Sequence, residues 1–248
     1  MNLIILADSD RVGTDTWRLT DHRAEHIRTV LRSGEGDPIQ IGLLNGPVGT
    51  ARVTSLTDTE ILLACDHLAE LPPLTPMVDL ICALPRPQTL KKVLFTAAMM
   101  GIRRLHLIRA NRVEKSYFHS PLLDPTHSTP YLIKGLSQGK LTRLPEISVH
   151  DRFKLFFEDT LPSLDRSDPA APLRLLPDSD TPCRLPTIYR GTEPRLTVAI
   201  GPEGGWVPFE IDLMTSVGFQ RFTLGRPVLR VEHAVTAVLA QVELLRAE

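Results

Sequence analysis

Two short glycine-marked segments near the end of the chain most strongly constrain its fold. Residues 200–206 read Ile-Gly-Pro-Glu-Gly-Gly-Trp, and residues 224–232 read Leu-Gly-Arg-Pro-Val-Leu-Arg-Val-Glu. Each segment stands between an apolar run typical of a buried strand and a helical pattern. The predicted strands are 195–200 and 220–224, and the predicted helices are 208–217 and 231–245. This succession predicts an open α/β sheet, in which ligands bind beyond the carboxyl ends of the strands.

The composition of the two loops indicates which ligand they suit. Neither contains the Gly-Lys-Ser/Thr or Gly-x-Gly-x-x-Gly pattern of a phosphate-binding loop. Glu203 is the only charged residue of the first loop. These features favour a ligand held by backbone groups through an adenine and a ribose, with a positive charge, over one that carries a pyrophosphate. The alternative is a pair of tight turns without a ligand, which is less favoured for two such loops than for one.

Both loops resemble the signature loops of the SPOUT superfamily of S-adenosylmethionine-dependent RNA methyltransferases. They are similar in particular to those of the ribosomal small-subunit methyltransferase E family, which methylates N3 of a uridine in 16S rRNA. Residues 200–205 match the first signature in full, and 224–234 match the second with two departures. The family usually has an arginine just before the aliphatic pair, which here is Val228-Leu229, whereas this chain has the order Arg226-Pro227. His233 stands where the family usually has threonine.

The resemblance spans essentially the whole chain, and it implies S-adenosylmethionine as the cofactor. Leu176 and Pro177, at the end of another predicted strand, are expected to close the third side of its site. The implied cofactor-binding residues are Leu176, Pro177, Ile200, Gly201, Pro202, Glu203, Gly204, Gly205, Leu224, Gly225, Val228 and Leu229. No metal site is predicted, and methyl transfer does not require one.

Arg230 and Glu232 are the predicted catalytic residues. Uridine is mostly protonated at N3 at neutral pH, so N3 must lose its proton before it attacks a methyl group, and negative charge then spreads over O2 and O4. A guanidinium aimed at these oxygens would stabilise the charge, which is the role expected of Arg230; the alternative is an ion pair within its loop. Glu232 is expected to take the proton or to hold Arg230, although an acid in a first helical turn also complements the helix dipole. His233 is interpreted as structural.

The charge of the chain is distributed unevenly. Overall it carries 28 basic and 29 acidic residues, a net charge of −1. Residues 71–150, however, contain eleven basic and four acidic residues, whereas 1–70 and 151–248 are both net acidic. Affinity for nucleic acid comes largely from neutralised phosphates, so the middle segment is expected to contact RNA. Candidate contacts are Arg86, Lys91, Lys92, Arg103, Arg104, Arg109, Arg112 and Lys115, with Arg11, Arg23, His26 and Arg32 reading local shape; for each, a solvated surface charge is the alternative.

Three prolines within residues 71–76 predict a stiff connector between two domains, 1–71 and 77–248. The first combines short strand patterns with one amphipathic helix at 20–32, which predicts a small β-barrel; the resemblance implies a PUA-like RNA-binding domain. In the second, strands and helices alternate in the rhythm of a parallel sheet. Predicted elements are strands 78–84 and 105–108, helices 89–100 and 131–137, a helix containing 153–157, and a long loop 161–194 around a strand at 173–176. The resemblance also implies a C-terminal trefoil knot.

The remaining expectations concern cellular context. Cys65, Cys82 and Cys183 lack the spacing of a metal site or a disulfide framework, which predicts buried thiols in a cytoplasmic protein. No signal peptide or membrane span is predicted. The last helix carries an apolar stripe, which the resemblance interprets as part of a homodimer interface and which core packing would also explain: Val235, Val238, Leu239, Val242 and Leu245.

The expected partner is 16S rRNA in the small ribosomal subunit. Two other functions stay open: a ribose 2′-O-methyltransferase that acts on rRNA or tRNA, and an RNA-binding assembly factor without catalysis.

Overall fold

A computed structural model describes residues 3–71, 74, 77–168 and 170–246. Most of the predicted proline-rich connector, namely Pro72, Pro73, Thr75 and Pro76, lies outside these residues. The chain divides into two compact units, residues 1–72 with 133–144 and residues 73–132 with 145–248. The first unit thus includes a segment from the middle of the chain that the sequence-based division assigns to the second.

The first unit is a five-stranded sheet with one helical segment. Its strands lie in the order β1-β3-β4-β5-β2, and all neighbours are antiparallel except β1 and β3. Its elements are β1 Ile4–Leu6, β2 Thr16–Leu19, α1 His22–His26, β3 Pro38–Leu43, β4 Val48–Leu56 and β5 Ile61–Ala69. A 3-10 turn lies at Asp8–Asp10, and α1 continues into a π-helical turn at Ile27–Leu31.

Local sequence explains the bounds of the helical segment. Asp21 caps its start, because the Asp21 carboxylate accepts a hydrogen bond of 2.9 Å from the backbone N–H of Arg23. Arg32 ends it in the left-handed conformation, with φ 54°. Ala24 and Ile27 are fully buried, so the apolar face predicted for 20–32 packs on the sheet.

Residues 133–144 join the first unit through hydrogen bonds that no local pattern predicts. Ser137 accepts from the backbone N–H of Leu3 at 3.0 Å, and the Thr142 hydroxyl donates to the carbonyl of Gly46 at 2.5 Å. A Cβ atom on Gly42 would lie 2.6 Å from the Thr142 side chain. Glycine at position 42 is therefore required for this close approach.

The second unit is built on six strands in the order β11-β9-β10-β6-β7-β8, and every neighbouring pair is parallel. The elements are β6 Met77–Ala83, α2 Pro87–Met99, β7 Arg104–Ile108, β8 Glu146–His150, α4 Phe153–Leu155, α5 Leu161–Arg166, β9 Leu173–Pro177, α6 Leu185–Ile188, β10 Arg195–Ile200, α7 Pro208–Ser216, β11 Phe219–Phe222 and α8 Val231–Leu245. The helix α3, Pro125–Gly139, begins in this unit, and its residues from 133 onward belong to the first. Short 3-10 turns lie at Lys115–His119 and Pro121–Leu123. The predicted α/β class with a parallel sheet is confirmed.

Continuous burial explains why the strands of this sheet were readable. All six residues of β10 are buried, and so are six of the seven in β6. Parallel strands covered on both faces are expected to be apolar throughout rather than alternating. The strands predicted at 78–84, 105–108 and 195–200 accordingly correspond to β6, β7 and β10. The strand predicted at 220–224 corresponds to β11, which lies at the end of the sheet and is less buried.

The long loop predicted at 161–194 is wrong in two places. Residues 153–166 are helical without a break, through α4, a π-helical turn at Phe156–Thr160 and α5, and α6 forms within the same predicted loop. Pro162 and Pro186 read as helix breakers in the sequence. Pro186, however, is the second residue of α6, where a missing N–H removes little hydrogen bonding. Pro162 lies inside the continuous helical stretch, two residues after its π-helical turn.

A cluster of buried ion pairs closes the amino-terminal edge of the six-stranded sheet. The Asp79 carboxylate, on β6, accepts from Arg103 at 2.6 Å and from Arg195 at 2.8 Å, and both Asp79 and Arg195 are only 1% exposed. Asp168, just after α5, pairs with Arg103 and Arg104 at 2.8 Å. These hydrogen bonds, above all the one from Arg103, hold the pKa of Asp168 to about 2.

The same cluster corrects the interpretation of Arg103 and Arg104 as RNA contacts. Their side chains are 23% and 17% exposed, and their guanidinium groups are bound to carboxylates within the protein. A phosphate would have to displace these pairs, so both arginines are assigned a structural role. Among the described residues, no helix is long and apolar enough to cross a membrane, and no group of side chains is arranged to hold a metal ion.

Candidate functional site

The loops that follow β9, β10 and β11 line one cleft at the carboxyl edge of the six-stranded sheet. Its volume is about 510 Å³. The parallel register brings the loops together, since Phe222 at the end of β11 lies opposite Pro177 at the end of β9. The backbone N–H of Asp178 then donates to the carbonyl of Phe222 at 2.8 Å. The two glycine-marked loops, which follow β10 and β11 on either side of β9, both line the cleft, as predicted.

Most residues predicted to bind a cofactor line this cleft. They are Pro177, Ile200, Gly201, Pro202, Glu203, Gly204, Gly205, Leu224, Gly225, Val228 and Leu229. Leu176 does not: it is fully buried in the core beneath the sheet edge. The side chain of Leu176 therefore packs in the core, whereas Pro177, the next residue, lines the cleft.

Two large side chains pack closely against glycine backbone in the first loop. A Cβ atom on Gly201 would lie 3.1 Å from Nε1 of Trp206. A Cβ atom on Gly204 would lie 3.0 Å from Cδ of Arg112. The small residues thus let an indole ring and an arginine stem form walls of the cleft.

Arg112 connects a third loop, which follows β7, to this site. Its guanidinium donates a hydrogen bond to the carbonyl of Gly204. Predicted as an RNA contact, Arg112 lies on the wall of the cleft instead of on a remote surface. This contact could not be predicted from the sequence, because Arg112 and Gly204 are 92 positions apart.

Several other cleft residues were missed by the sequence analysis. Asp178, Ser179 and Asp180 lie in what was predicted as a long loop, and Trp206 ends the glycine-rich motif. The end of the strand predicted at 173–176 was the available signal, because loops leaving parallel strands gather at one edge. The Asp178 carboxylate accepts from Nε of Arg221 at 2.6 Å, which fixes the wall it forms.

Arg230 and Glu232 lie in different surroundings although they are two residues apart. Arg230 is exposed, precedes the first residue of α8 and lines the cleft. The side chain of Glu232 is 7% exposed and binds Nζ of Lys92 at 2.9 Å. Burial alone would raise the pKa of Glu232, but the hydrogen bonds from Lys92 and from its own backbone N–H, with the nearby positive charge, hold the pKa below its ordinary value.

The remaining predicted RNA contacts differ in how free their charges are. Arg23 pairs with Asp10 at 2.6 Å and with Asp21 at 2.9 Å, and Lys92 is bound to Glu232. The other predicted RNA contacts make weaker interactions than these ion pairs. Arg11 donates to carbonyls of its own turn, Arg86 to the Thr89 hydroxyl, and Lys91 lies over the Tyr131 ring, whereas Arg32 and Lys115 are exposed.

The sequence was compared with known protein families and the fold with solved structures. Residues 72–243 match the RNA methyltransferase domain family. The chain is 31% identical to ribosomal RNA small subunit methyltransferase E of Treponema pallidum over 98% of its own length and 90% of that protein's. It is 23% identical to ribosomal RNA small subunit methyltransferase E 1 of Borreliella burgdorferi, over 96% and 95%.

The chain belongs to the ribosomal RNA small subunit methyltransferase E family. The fold agrees: a Neisseria gonorrhoeae member solved with S-adenosyl methionine superimposes with a TM-score of 0.74 at 21% identity, covering 99% of this chain and 98% of that one. A Legionella pneumophila protein solved with the same cofactor gives 0.74 at 18% identity, with both chains fully covered. The resemblance stated from the two loops is confirmed.

In this family member, the apolar stripe of α8 is used inside the chain. Val235, Val238, Leu239 and Val242 are at most 4% exposed, and α8 packs on α2 and β10, whereas Leu245 is only partly buried. Core packing therefore accounts for four of the five residues of the predicted stripe. These four provide no evidence for a second subunit.

The Lys92–Glu232 ion pair is expected to contribute to the stability of the folded protein. Replacing Lys92 with methionine should leave a buried carboxylate without its cation and lower the free energy of unfolding at pH 7 by about 1–2 kcal/mol. This is less than the roughly 3–5 kcal/mol expected for a fully buried pair, because Lys92 is 60% exposed. Urea denaturation monitored by circular dichroism measures the difference.

The pH dependence of that difference identifies its cause. Because the pKa of Glu232 is lowered in the folded state, its stabilising contribution is present above the ordinary value of 4.5 and is lost as the pH falls through the folded-state pKa. The gap between wild type and Lys92→Met should therefore close in acid. Lys134→Met, at an exposed lysine, is the matched control. A gap that stays constant into acid would exclude the pair as its origin.

Proposed function

We propose that this protein uses S-adenosylmethionine to methylate N3 of a uridine in the rRNA of the small ribosomal subunit. The observation that carries the proposal is the cleft beyond β9, β10 and β11, in a chain of the methyltransferase E family. It is formed by both glycine-marked loops at the carboxyl edge of a parallel sheet, where α/β proteins bind ligands.

The chemistry of the cleft fits S-adenosylmethionine. A volume of about 510 Å³ is within the range of small-molecule sites. Glu203 and Asp180 line it and would complement a positively charged sulfonium, whereas the carboxylate of Asp178, also in the wall, is paired with Arg221. Backbone groups of the glycine-containing loops are available to an adenine and a ribose. S-adenosylmethionine supplies an electrophilic methyl group when bound.

Arg230 is the residue that we propose acts on the base. It lines the same cleft and is exposed, so its guanidinium is free to approach O2 or O4 of a uracil. Stabilising the negative charge that develops there lowers the barrier to loss of the N3 proton. Its place next to the start of α8 supports this role, since the helix fixes the backbone from which the side chain extends.

Glu232 has two proposed roles, as proton acceptor or as the holder of a cation. Its pairing with Lys92 and its lowered pKa favour the second, because a strongly ionised carboxylate already bound to an ammonium is a weak base. In that role it fixes Lys92, on α2, beside the first turn of α8. The cation it holds in this structure is Lys92 and not Arg230.

We further propose the finer architecture that family membership implies. The first unit, with its five strands and one helical segment, would act as a PUA-like RNA-binding domain spanning 1–71, and 77–248 would form a SPOUT domain with a trefoil knot. A homodimer and a cytoplasmic location, where small subunits are found, belong to the same proposal. A monomeric mass in light scattering at full activity would contradict the dimer.

The experiment is methyl transfer from labelled S-adenosylmethionine to small ribosomal subunits that lack the modification, followed by mass spectrometry of the nucleosides. The expected product is 3-methyluridine. A ribose-methylated nucleoside would instead support a 2′-O-methyltransferase. Absence of transfer, with S-adenosylmethionine bound in calorimetry, would support an assembly factor without catalysis.

Replacement of Arg230 should affect turnover more than cofactor affinity. Arg230→Ala should lower the rate of methyl transfer by a factor on the order of 10²–10³, equivalent to about 3–4 kcal/mol, and leave S-adenosylmethionine affinity close to wild type. Arg230→Lys should recover little, because the planar two-pronged donor is lost. Single-turnover rates and calorimetry measure the two quantities.

Higher pH should partly rescue Arg230→Ala, because more of the uridine is then already ionised. The control is wild type measured over the same pH range. If Arg230→Ala keeps the wild-type rate and pH profile, this arginine is purely structural.

A further inference from the structure

A second pocket, of about 380 Å³, opens beside the cleft at the carboxyl ends of β7 and β8. We propose that it binds a nucleotide of the substrate RNA that neighbours the methylated uridine, with the base stacked on Phe209 and the phosphate contacted by Arg109 and Lys115. This subsite rests on the proposed function, since it needs an RNA substrate whose target base reaches the cleft.

Consecutive residues of two loops line the pocket and the cleft alternately, so the two cavities share a wall. In the loop after β7, Asn111 lines the pocket and Arg112 the cleft. In the loop after β10, Trp206 lines the cleft and Val207 the pocket. Only the wall formed by these two loops separates an occupant of the pocket from the cleft. This arrangement suits adjacent nucleotides of one RNA strand.

Aromatic rings supply the stacking surface. The Phe153 ring, in the pocket wall, lies 5.9 Å from the Trp206 ring in the cleft wall and 4.7 Å from the Phe157 ring in the core. Phe209, on the first turn of α7, also lines the pocket and is 58% exposed. Single-stranded RNA is commonly held by stacking its unpaired bases on such rings.

The pocket is built rather than accidental, because a buried carboxylate ties two of its walls together. Glu210, 2% exposed, accepts hydrogen bonds from the backbone N–H of Asn111 at 2.6 Å and from that of Val207 at 3.0 Å. These bonds hold the loop after β7 against the start of α7. Glu210 is thus used within the protein and not offered to a ligand.

The remaining charges favour a phosphate. Arg109 and Lys115 line the pocket, and neither makes an ion pair within the described ranges of the chain. Asp151 is the other outward-facing charge, and its carboxylate is an acceptor for a ribose hydroxyl or a base amino group. A planar ring with a phosphate and hydroxyl groups, that is a nucleotide, matches this combination.

Phe209→Ala tests the stacking. Its kcat/KM for methyl transfer to unmodified small subunits should fall by about 5–150-fold, the range that corresponds to losing one base–aromatic stack. Phe209→Tyr, which keeps the ring, should stay close to wild type. The affinity for S-adenosylhomocysteine, measured by calorimetry, should not change in either variant.

Leu155→Ala is the matched control, because Leu155 is also an exposed apolar residue, 46% exposed, and lines neither cavity. Lys115→Ala should weaken binding of protein-free small-subunit rRNA and reduce the slope of log affinity against log salt by about one. Phe209→Ala should also weaken binding of this protein-free RNA.

Three results would overturn the subsite while leaving the proposed function intact. One is an unchanged kcat/KM in folded Phe209→Ala; another is an equal loss in Phe209→Ala and Phe209→Tyr. The third is a loss on intact subunits but not on protein-free rRNA, which would assign the pocket to a ribosomal protein. Failure of the wild-type protein to transfer any methyl group would instead overturn the proposed function and the subsite with it.

Discussion

Parallel pairing of all six strands in the second unit is the constraint on which its site depends. In such a sheet every strand ends at the same edge. Loops that are distant in sequence therefore lie close together because of strand pairing alone, without direct contacts between them. The pairing of β9 with β11 is the most consequential case. It sets Pro177 opposite Phe222, so that the loops beginning at 178 and 223 leave the sheet at one level.

The two edges of this sheet serve opposite purposes. At the amino-terminal edge, Asp79 and Arg195 are almost wholly buried in an ion cluster that joins β6, β7 and β10 to the end of α5. Breaking such a buried pair leaves an uncompensated charge, so the cluster holds the strands in fixed register. At the carboxyl edge the loops are joined by single hydrogen bonds, such as the one from the Arg112 guanidinium to the Gly204 carbonyl, and line a cleft that is open to ligands.

Features with a local signal were predictable from the sequence. Continuous apolar runs predicted four strands of the sheet, and glycines beside them predicted the loops of the cleft. Contacts between distant residues were not predictable: Lys92 and Glu232 are 140 positions apart, and the Thr142–Gly46 hydrogen bond that helps join 133–144 to the first unit spans 96. Pro186 was misleading because proline breaks a helix in its interior but is tolerated in the first turn, where it lies in α6.

The burial of the Leu176 side chain was not predictable either, because one residue separates the core from the cleft at the end of β9. The ligand and the reaction were predicted from the family resemblance. The loop sequences alone indicated only that the ligand is adenosine-like and positively charged. In the structure, Arg230 lines the cleft, whereas Glu232 is bound to Lys92.

Hydrogen–deuterium exchange with and without S-adenosylhomocysteine tests the central claim most directly, namely that the loops after β9, β10 and β11 together form the cofactor site. Saturating ligand should slow amide exchange in residues 178–180, 201–206 and 223–230 and leave β4 and β5 of the first unit unchanged. Binding demonstrated by calorimetry, with protection absent from these three loops or concentrated elsewhere, would contradict the account.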